Sequence, residues 1–178
     1  VYLDSAASAQ KPSMVIDSIK NTYENNYANV HRGIYHLSQL ATDAYEDSRI
    51  KAQLFINAKN SNEIIFTRGA TEGLNLIASC IMNQYISEGD EILISTLEHH
   101  SNIIPWQIGC NKKNAKLCEV KPNSRGDITL EEIKKLISQK TKIIALPHIT
   151  NSIGTQLPIK EICNEAKKNN VITVIDGC

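Results

Sequence analysis

Short apolar runs, each followed at once by a polar stretch, constrain this chain more than any other feature. They lie at 63–67, 91–95, 116–120, 142–147 and 171–175. Helical stretches fall between them, near 71–86, 101–113, 129–138 and 158–169. Pro158 stands where a first helical turn tolerates proline. Strands separated by helices of this length imply right-handed crossovers, and so predict an α/β fold with a largely parallel sheet flanked by helices. Two further helices precede the series. Residues 14–27 carry Val15, Ile19, Tyr23 and Tyr27 on one i, i+4 stripe. Residues 40–58 form a longer helix, with Ala44, Tyr45, Ala52 and Phe55 expected to face inward.

In open α/β sheets ligands sit beyond the C-terminal ends of the strands. The segments that follow the runs therefore carry the functional information. They are Arg68-Gly69-Ala70-Thr71-Glu72-Gly73, Thr96-Leu97-Glu98-His99-His100-Ser101-Asn102, His148 to Thr155, and Asp176-Gly177-Cys178. All are polar, and three contain glycine, so they are expected to line one site.

Each segment suits a particular chemistry and has a plainer alternative. The Gly69–Gly73 stretch joins a strand to a helix, where small residues let backbone amides approach an anion and the helix start favours negative charge. It is equally an ordinary tight turn with Thr71 as a cap. Asp176 ends an apolar strand, where desolvation disfavours its charged form unless a cation compensates; a protonated heterocyclic nitrogen would be such a cation. Its alternative is a cap on a following helix. His99 and His100 are adjacent, so their side chains should diverge, and their spacing is wrong for a zinc pair. His31-Arg32 and Asn151 are polar loop candidates that are otherwise simply solvated.

The totals narrow the function classes. The 178 residues suffice for one buried α/β core, with 42% apolar and 21% charged residues. Nineteen basic side chains balance nineteen acidic ones, so no net field favours nucleic acid or anionic lipid. The apolar runs are too short to cross a bilayer, and the start of the sequence lacks a secretory pattern, so a secreted or membrane protein is not expected. Five cysteines with no Cys-x-x-Cys spacing argue against a disulfide framework and for a reducing compartment. Cys80, Cys110, Cys118 and Cys163 are expected to be buried packing residues.

Taken in order, the motifs resemble the aminotransferase class V family of pyridoxal-phosphate enzymes, over essentially the whole chain. Tyr2 to Pro12, Val30-His31-Arg32-Gly33, Arg68 to Gly73, Glu98 to Asn102 and Pro105-Trp106 are similar to SUF-type (group II) cysteine desulfurases. The resemblance implies a fold-type I enzyme. Residues 1–178 would be the N-terminal segment and the first part of its cofactor-binding large domain, with the rest of that domain and the C-terminal small domain absent. It implies pyridoxal 5′-phosphate as cofactor, with Ala70 and Thr71 on the phosphate and His99 stacked on the ring and moving protons. Asp176 would pair with the pyridine nitrogen, and Asn151 would lie near the phenolic oxygen and the substrate carboxylate. Ala7 and His31 would sit near substrate. The implied reaction converts L-cysteine to L-alanine and passes persulfide sulfur to a SufE- or SufU-like acceptor for iron–sulfur cluster assembly. A homodimer in a bacterial cytoplasm or a plastid-type organelle (apicoplast or chloroplast) is the implied setting. The family's Schiff-base lysine and persulfide cysteine fall after Cys178, so this stretch alone is expected to be inactive. Other readings are a selenocysteine lyase or another class V enzyme, a non-catalytic scaffold of the same fold, and a nucleotide-binding Rossmann domain. The last lacks Gly-x-Gly-x-x-Gly.

Overall fold

The computed structural model describes residues 1–5 and 7–178. The chain divides into two compact units, Val1–Phe66 and Thr67–Cys178.

The first unit is built from two helices and loops. Helix α1 (Ser13–Asn21) runs into a single π turn at Thr22–Asn26, and α2 (His36–Phe55) is the long helix. Among its described residues only Ser38 and Ile64 are buried. The predicted stripe on α1 exists but is bare: Val15, Ile19, Tyr23 and Tyr27 are exposed, with the two tyrosine rings stacked 5.3 Å apart. The inward face expected on α2 is likewise not buried, and Phe55 is 90% exposed. The physical reason is that no strand occurs among the described residues of this unit, so its helices have no sheet to cover them. The run at 63–67 belongs to this correction. Ser61–Glu63 is a 3-10 turn, Ile64 has extended dihedrals, and Ile65 and Phe66 are exposed. β-favouring residues took an extended path there without a ladder partner, and without the hydrogen bonds of a neighbour there is no strand.

The second unit realises the alternating pattern. Helix α3 (Ala70–Tyr85) leads into β1 (Glu91–Ser95), followed by α4 (Ile104–Lys113), β2 (Lys116–Val120), α5 (Leu130–Leu136), β3 (Thr141–Pro147), α6 (Ile159–Lys168) and β4 (Ile172–Asp176). All pairings are parallel, in the order β2-β1-β3-β4. Side chains alternate between two cores. Ile92, Ile94, Ile143, Ala145 and Val174 face Leu74, Ala78, Met82, Trp106 and Cys110 of α3 and α4. Leu93, Ile144 and Leu146 face Ile133, Ile162 and Ala166 of α5 and α6. A sheet covered on both faces needs apolar residues at nearly every inner position, which is why the inner strands β1 and β3 read as apolar runs.

Local chemistry fixes the helix positions. On α3, Leu74, Ala78 and Met82 recur at i, i+4, i+8 and are buried. Cys80 lies off that stripe and is exposed, against the packing role expected for it; Cys110 is buried, and Cys118 and Cys163 are half-buried. A Cβ on Gly109 would press into the Met82 side chain at 2.7 Å, so glycine permits the close approach of α4 to α3. Helix α5 starts with a capping box: Glu132 N–H donates to Thr129 Oγ1, and Thr129 N–H donates to Glu132 Oε2 at 2.8 Å.

The strand order also marks a site. From β1 the chain passes outward to β2, whereas from β3 it passes the opposite way to β4. The connections therefore diverge between the C-terminal ends of β1 and β3, the switch point at which open α/β sheets bind ligands.

Candidate functional site

Three structural elements bring the predicted residues of the second unit to this sheet edge. The first is the start of α3. Gly69 precedes it in extended conformation, and no side chain caps the helix. The first intrahelical bond runs from Gly73 N–H to Gly69 O, so the amides of Ala70, Thr71 and Glu72 have no helical acceptor. A Cβ built on Gly69 would meet nothing within 4 Å, which leaves an open approach to those donors. Glu72 turns its Oε2 back to Arg68 N–H at 2.6 Å and pairs with the Arg68 guanidinium at 3.5 Å. An anion of phosphate type fits such a helix start.

The second element is the loop after β1. Backbone N–H of Ser101 donates to His99 Nδ1 at 3.2 Å, and Ser101 Oγ lies 2.7 Å from the same atom. An Nδ1 that accepts from a backbone amide carries no proton, so the neutral ring keeps its hydrogen on Nε2. His99 is exposed, and the rings of His99 and His100 are inclined by 67°, as expected for neighbours that diverge. The following 3-10 turn, His100–Asn102, packs against α3 and so joins this loop to the helix start.

The third element is the end of β4. Asp176 pairs with Pro147 in the sheet register, and its backbone carbonyl accepts from His148 N–H at 2.7 Å. Its carboxylate is half-buried, and Oδ1 accepts from Cys178 N–H at 3.1 Å rather than capping a helix. Asn151 lies exposed on the loop after β3, where Thr150 N–H donates to Thr155 O at 2.9 Å and Gly154 takes the left-handed region at φ 74°. Ala7 and His31 belong to the first unit. Ala7 is an exposed turn residue whose N–H donates to Asp4 O at 3.1 Å, and His31 is held by a side-chain network described below.

Glu98 is the site residue that sequence reasoning missed, although it stands beside His99 in the same motif. It is only 9% exposed, and neither carboxyl oxygen has a hydrogen-bond partner. Burial pushes it up from the ordinary carboxylate range to about 8; nearby Asn102 and the His99 backbone pull it down, while the charge of Asp176 adds to the rise. Asn102 is fully buried, donates nothing from Nδ2, and accepts from Trp106 Nε1–H at 2.9 Å. Glu98 therefore keeps its proton to a higher pH than an ordinary carboxyl, close to Asp176. An acid placed three residues past a buried strand was the available signal. Burial raises the Cys110 thiol to about 11 and also raises that of Cys118, away from the reactive thiolate.

An uncapped helix start, an imidazole presenting Nε2–H, and the Asp176 carboxylate fit the phosphate, ring and pyridine nitrogen of a pyridoxal-phosphate cofactor. No cluster of metal-ligating side chains occurs among the described residues. Nor is any described helix long and apolar enough to cross a membrane.

Comparison with known proteins identifies the family. The aminotransferase class-V family model matches residues 1–178. A cysteine desulfurase of Escherichia coli O8 is 46% identical over 176 residues, covering 99% of this chain and 43% of the relative. A probable cysteine desulfurase of Halalkalibacterium halodurans is also 46% identical, over 99% of this chain and 44% of its own length. The apo structure of a cysteine desulfurase from Thermococcus onnurineus superimposes with a TM-score of 0.94 at 34% identity, covering all of this chain and 44% of that one. The chain thus spans less than half the length of the curated relatives it matches.

Proposed function

The chain belongs to the aminotransferase class-V family, and from that premise we propose that it is the front part of a pyridoxal-phosphate-dependent cysteine desulfurase of the SUF type. The whole protein converts L-cysteine to L-alanine and hands the sulfur, as a persulfide, to a SufE- or SufU-like acceptor for iron–sulfur cluster assembly. It works as a homodimer in a bacterial cytoplasm or a plastid-type organelle. Residues 1–178 supply the N-terminal segment and the first part of the large domain. The Schiff-base lysine and the persulfide cysteine come from residues outside this stretch, which is inactive without them.

When bound, the cofactor supplies an electron sink for loss of the substrate Cα proton. The residues here hold it and manage charge. The free amides of Ala70 and Thr71, with the Thr71 hydroxyl, bind the phosphate at the positive end of α3. Asp176 pairs with the protonated ring nitrogen, and protonated Glu98 spares that site a second negative charge. His99 would stack on the ring, and its Nε2, left free by the Ser101 contact at Nδ1, would be the group available to move a proton. Asn151 serves the phenolic oxygen and the substrate carboxylate, and Ala7 and His31 line the substrate.

The observation that carries this reading is that the uncapped α3 start, His99 after β1 and Asp176 at the end of β4 all lie toward the C-terminal side of one parallel sheet. The test is full-length protein with pyridoxal 5′-phosphate and L-cysteine, followed by release of L-alanine and persulfide. Alanine formation is expected. Turnover of L-selenocysteine alone would replace the reading with a selenocysteine lyase. No turnover of either by cofactor-loaded protein would leave a scaffold of the same fold.

A further inference from the structure

The first unit contains a polar network that ends on His31. Ser38, Thr42, Tyr45, Glu46 and Arg49 recur along α2 at helical spacing and so share one face. Ser38 Oγ–H donates to Asn29 O at 2.6 Å, and Thr42 Oγ1–H donates to Ser38 O at 2.7 Å. Thr42 Oγ1 in turn accepts from His31 N–H at 2.9 Å. These contacts hold His31 at φ 69°, a left-handed conformation that a non-glycine residue keeps only under tertiary constraint. Gly33 is part of the same fit, since a Cβ there would collide with the Ser38 side chain.

The ring is fixed as firmly as the backbone. His31 Nε2 lies 2.7 Å from Glu46 Oε1, and Glu46 Oε2 accepts from Arg49 Nε–H at 3.2 Å. Arg49 is less exposed than Glu46 or His31, its guanidinium donating to Ile64 O and, at 3.1 Å, to Tyr45 Oη. It lies 5.1 Å from the Tyr45 ring centroid and 5.2 Å from that of Phe66, and the Tyr45 ring meets His31 edge-on at 5.6 Å. Each Glu46 oxygen thus has one defined partner, and Arg49 sets which oxygen is left for the histidine.

We infer that Glu46 is a positioning residue that locks the tautomer and orientation of His31. A carboxylate only accepts, so its partner Nε2 must carry the proton, and in the neutral ring Nδ1 is the acceptor. Nδ1 makes no hydrogen bond among the described residues and is the atom left for a ligand donor. This inference deepens the proposed function and rests on the reading that His31 meets substrate. It assigns Glu46 and Arg49 to substrate placement, although neither touches substrate itself.

The test uses the full-length, cofactor-loaded enzyme labelled with 15N-histidine. Long-range 1H–15N spectra should show the His31 signals, identified by their loss in H31A, as the Nε2–H tautomer. In E46Q the signals should move to a tautomer mixture, and E46D should restore most of the wild-type pattern. With L-cysteine, E46Q and H31A should each lower kcat/KM by about tenfold, chiefly through KM, and the double variant should be no worse than H31A. A wild-type tautomer pattern in E46Q, or a double variant a further tenfold worse, overturns the role of Glu46. Wild-type kinetics in H31A overturns the substrate reading beneath it, and in that case the spectra still show whether Glu46 holds the ring.

Discussion

The two units are ordered by different forces. Thr67–Cys178 buries both faces of a parallel sheet, and its largest side chain, Trp106, is completely enclosed. Val1–Phe66 leaves Tyr23, Tyr27, Phe55 and Phe66 exposed, and what it holds most firmly is a loop tied to α2 by Ser38, Thr42, Glu46 and Arg49. Burial of apolar surface is non-directional and fixes a layer, whereas hydrogen bonds fix a particular atom. The comparison teaches that the cofactor end of the chain is supported by packing and the His31 end by polar geometry.

Substitutions can break or sharpen this contrast, and the largest effect is expected in the packed unit. Trp106→Ala should lower unfolding free energy in urea by about 3–5 kcal/mol, combining a cavity with the orphaned Asn102 acceptor. A loss under 1 kcal/mol would mean that the α3–α4 layer is not a cohesive core.

Next comes Glu98, through its pH dependence. Its folded-state value, about 8, lies above the ordinary 4.5. Between those values the unfolded chain has given up the proton and the folded chain has kept it, so wild-type stability falls as pH rises through that window. E98Q cannot ionise. Its stability relative to wild type should therefore grow from pH 5 to pH 9, by about 4 kcal/mol. A constant difference across urea titrations at pH 5, 7 and 9 would show that Glu98 is ionised in the fold.

Smaller effects should follow from local devices. Thr129→Ala removes half of the capping box at α5 and should cost about 1 kcal/mol by the same urea assay. In the first unit, Phe55→Ala should change stability by less than about 0.5 kcal/mol, because the ring is already in water. A cost of several kcal/mol there would erase the difference between the units.

How much could be read from residues alone follows the same division. The run at 91–95 matches β1 because a strand buried on both faces must be apolar throughout, whereas 116–120 matches β2, an edge strand that keeps Lys116 and Glu119 in water. The placement of Asp176 at the end of β4 and His99 in the loop after β1 was legible because polar residues close the apolar runs. The run at 63–67 misled because alternation and β-branching describe a side-chain pattern, whereas a strand also needs a neighbouring backbone. The stripe on α1 misled similarly, since periodicity shows which face is apolar but not what covers it. The Glu46–His31 contact was illegible for another reason: it depends on which atoms meet across a loop, at a separation that no local spacing encodes.

The central claim is that the sheet edge at the α3 start, His99 and Asp176 holds pyridoxal 5′-phosphate. Equilibrium binding of that cofactor to full-length protein, followed by its visible absorption, tests it most directly. Asp176→Ala and Thr71→Val should each weaken binding at least tenfold (about 1.4 kcal/mol). Asp176→Ala should also shift the absorption band, and Phe55→Ala should bind as wild type does. Wild-type affinity and an unchanged spectrum in Asp176→Ala would contradict the account.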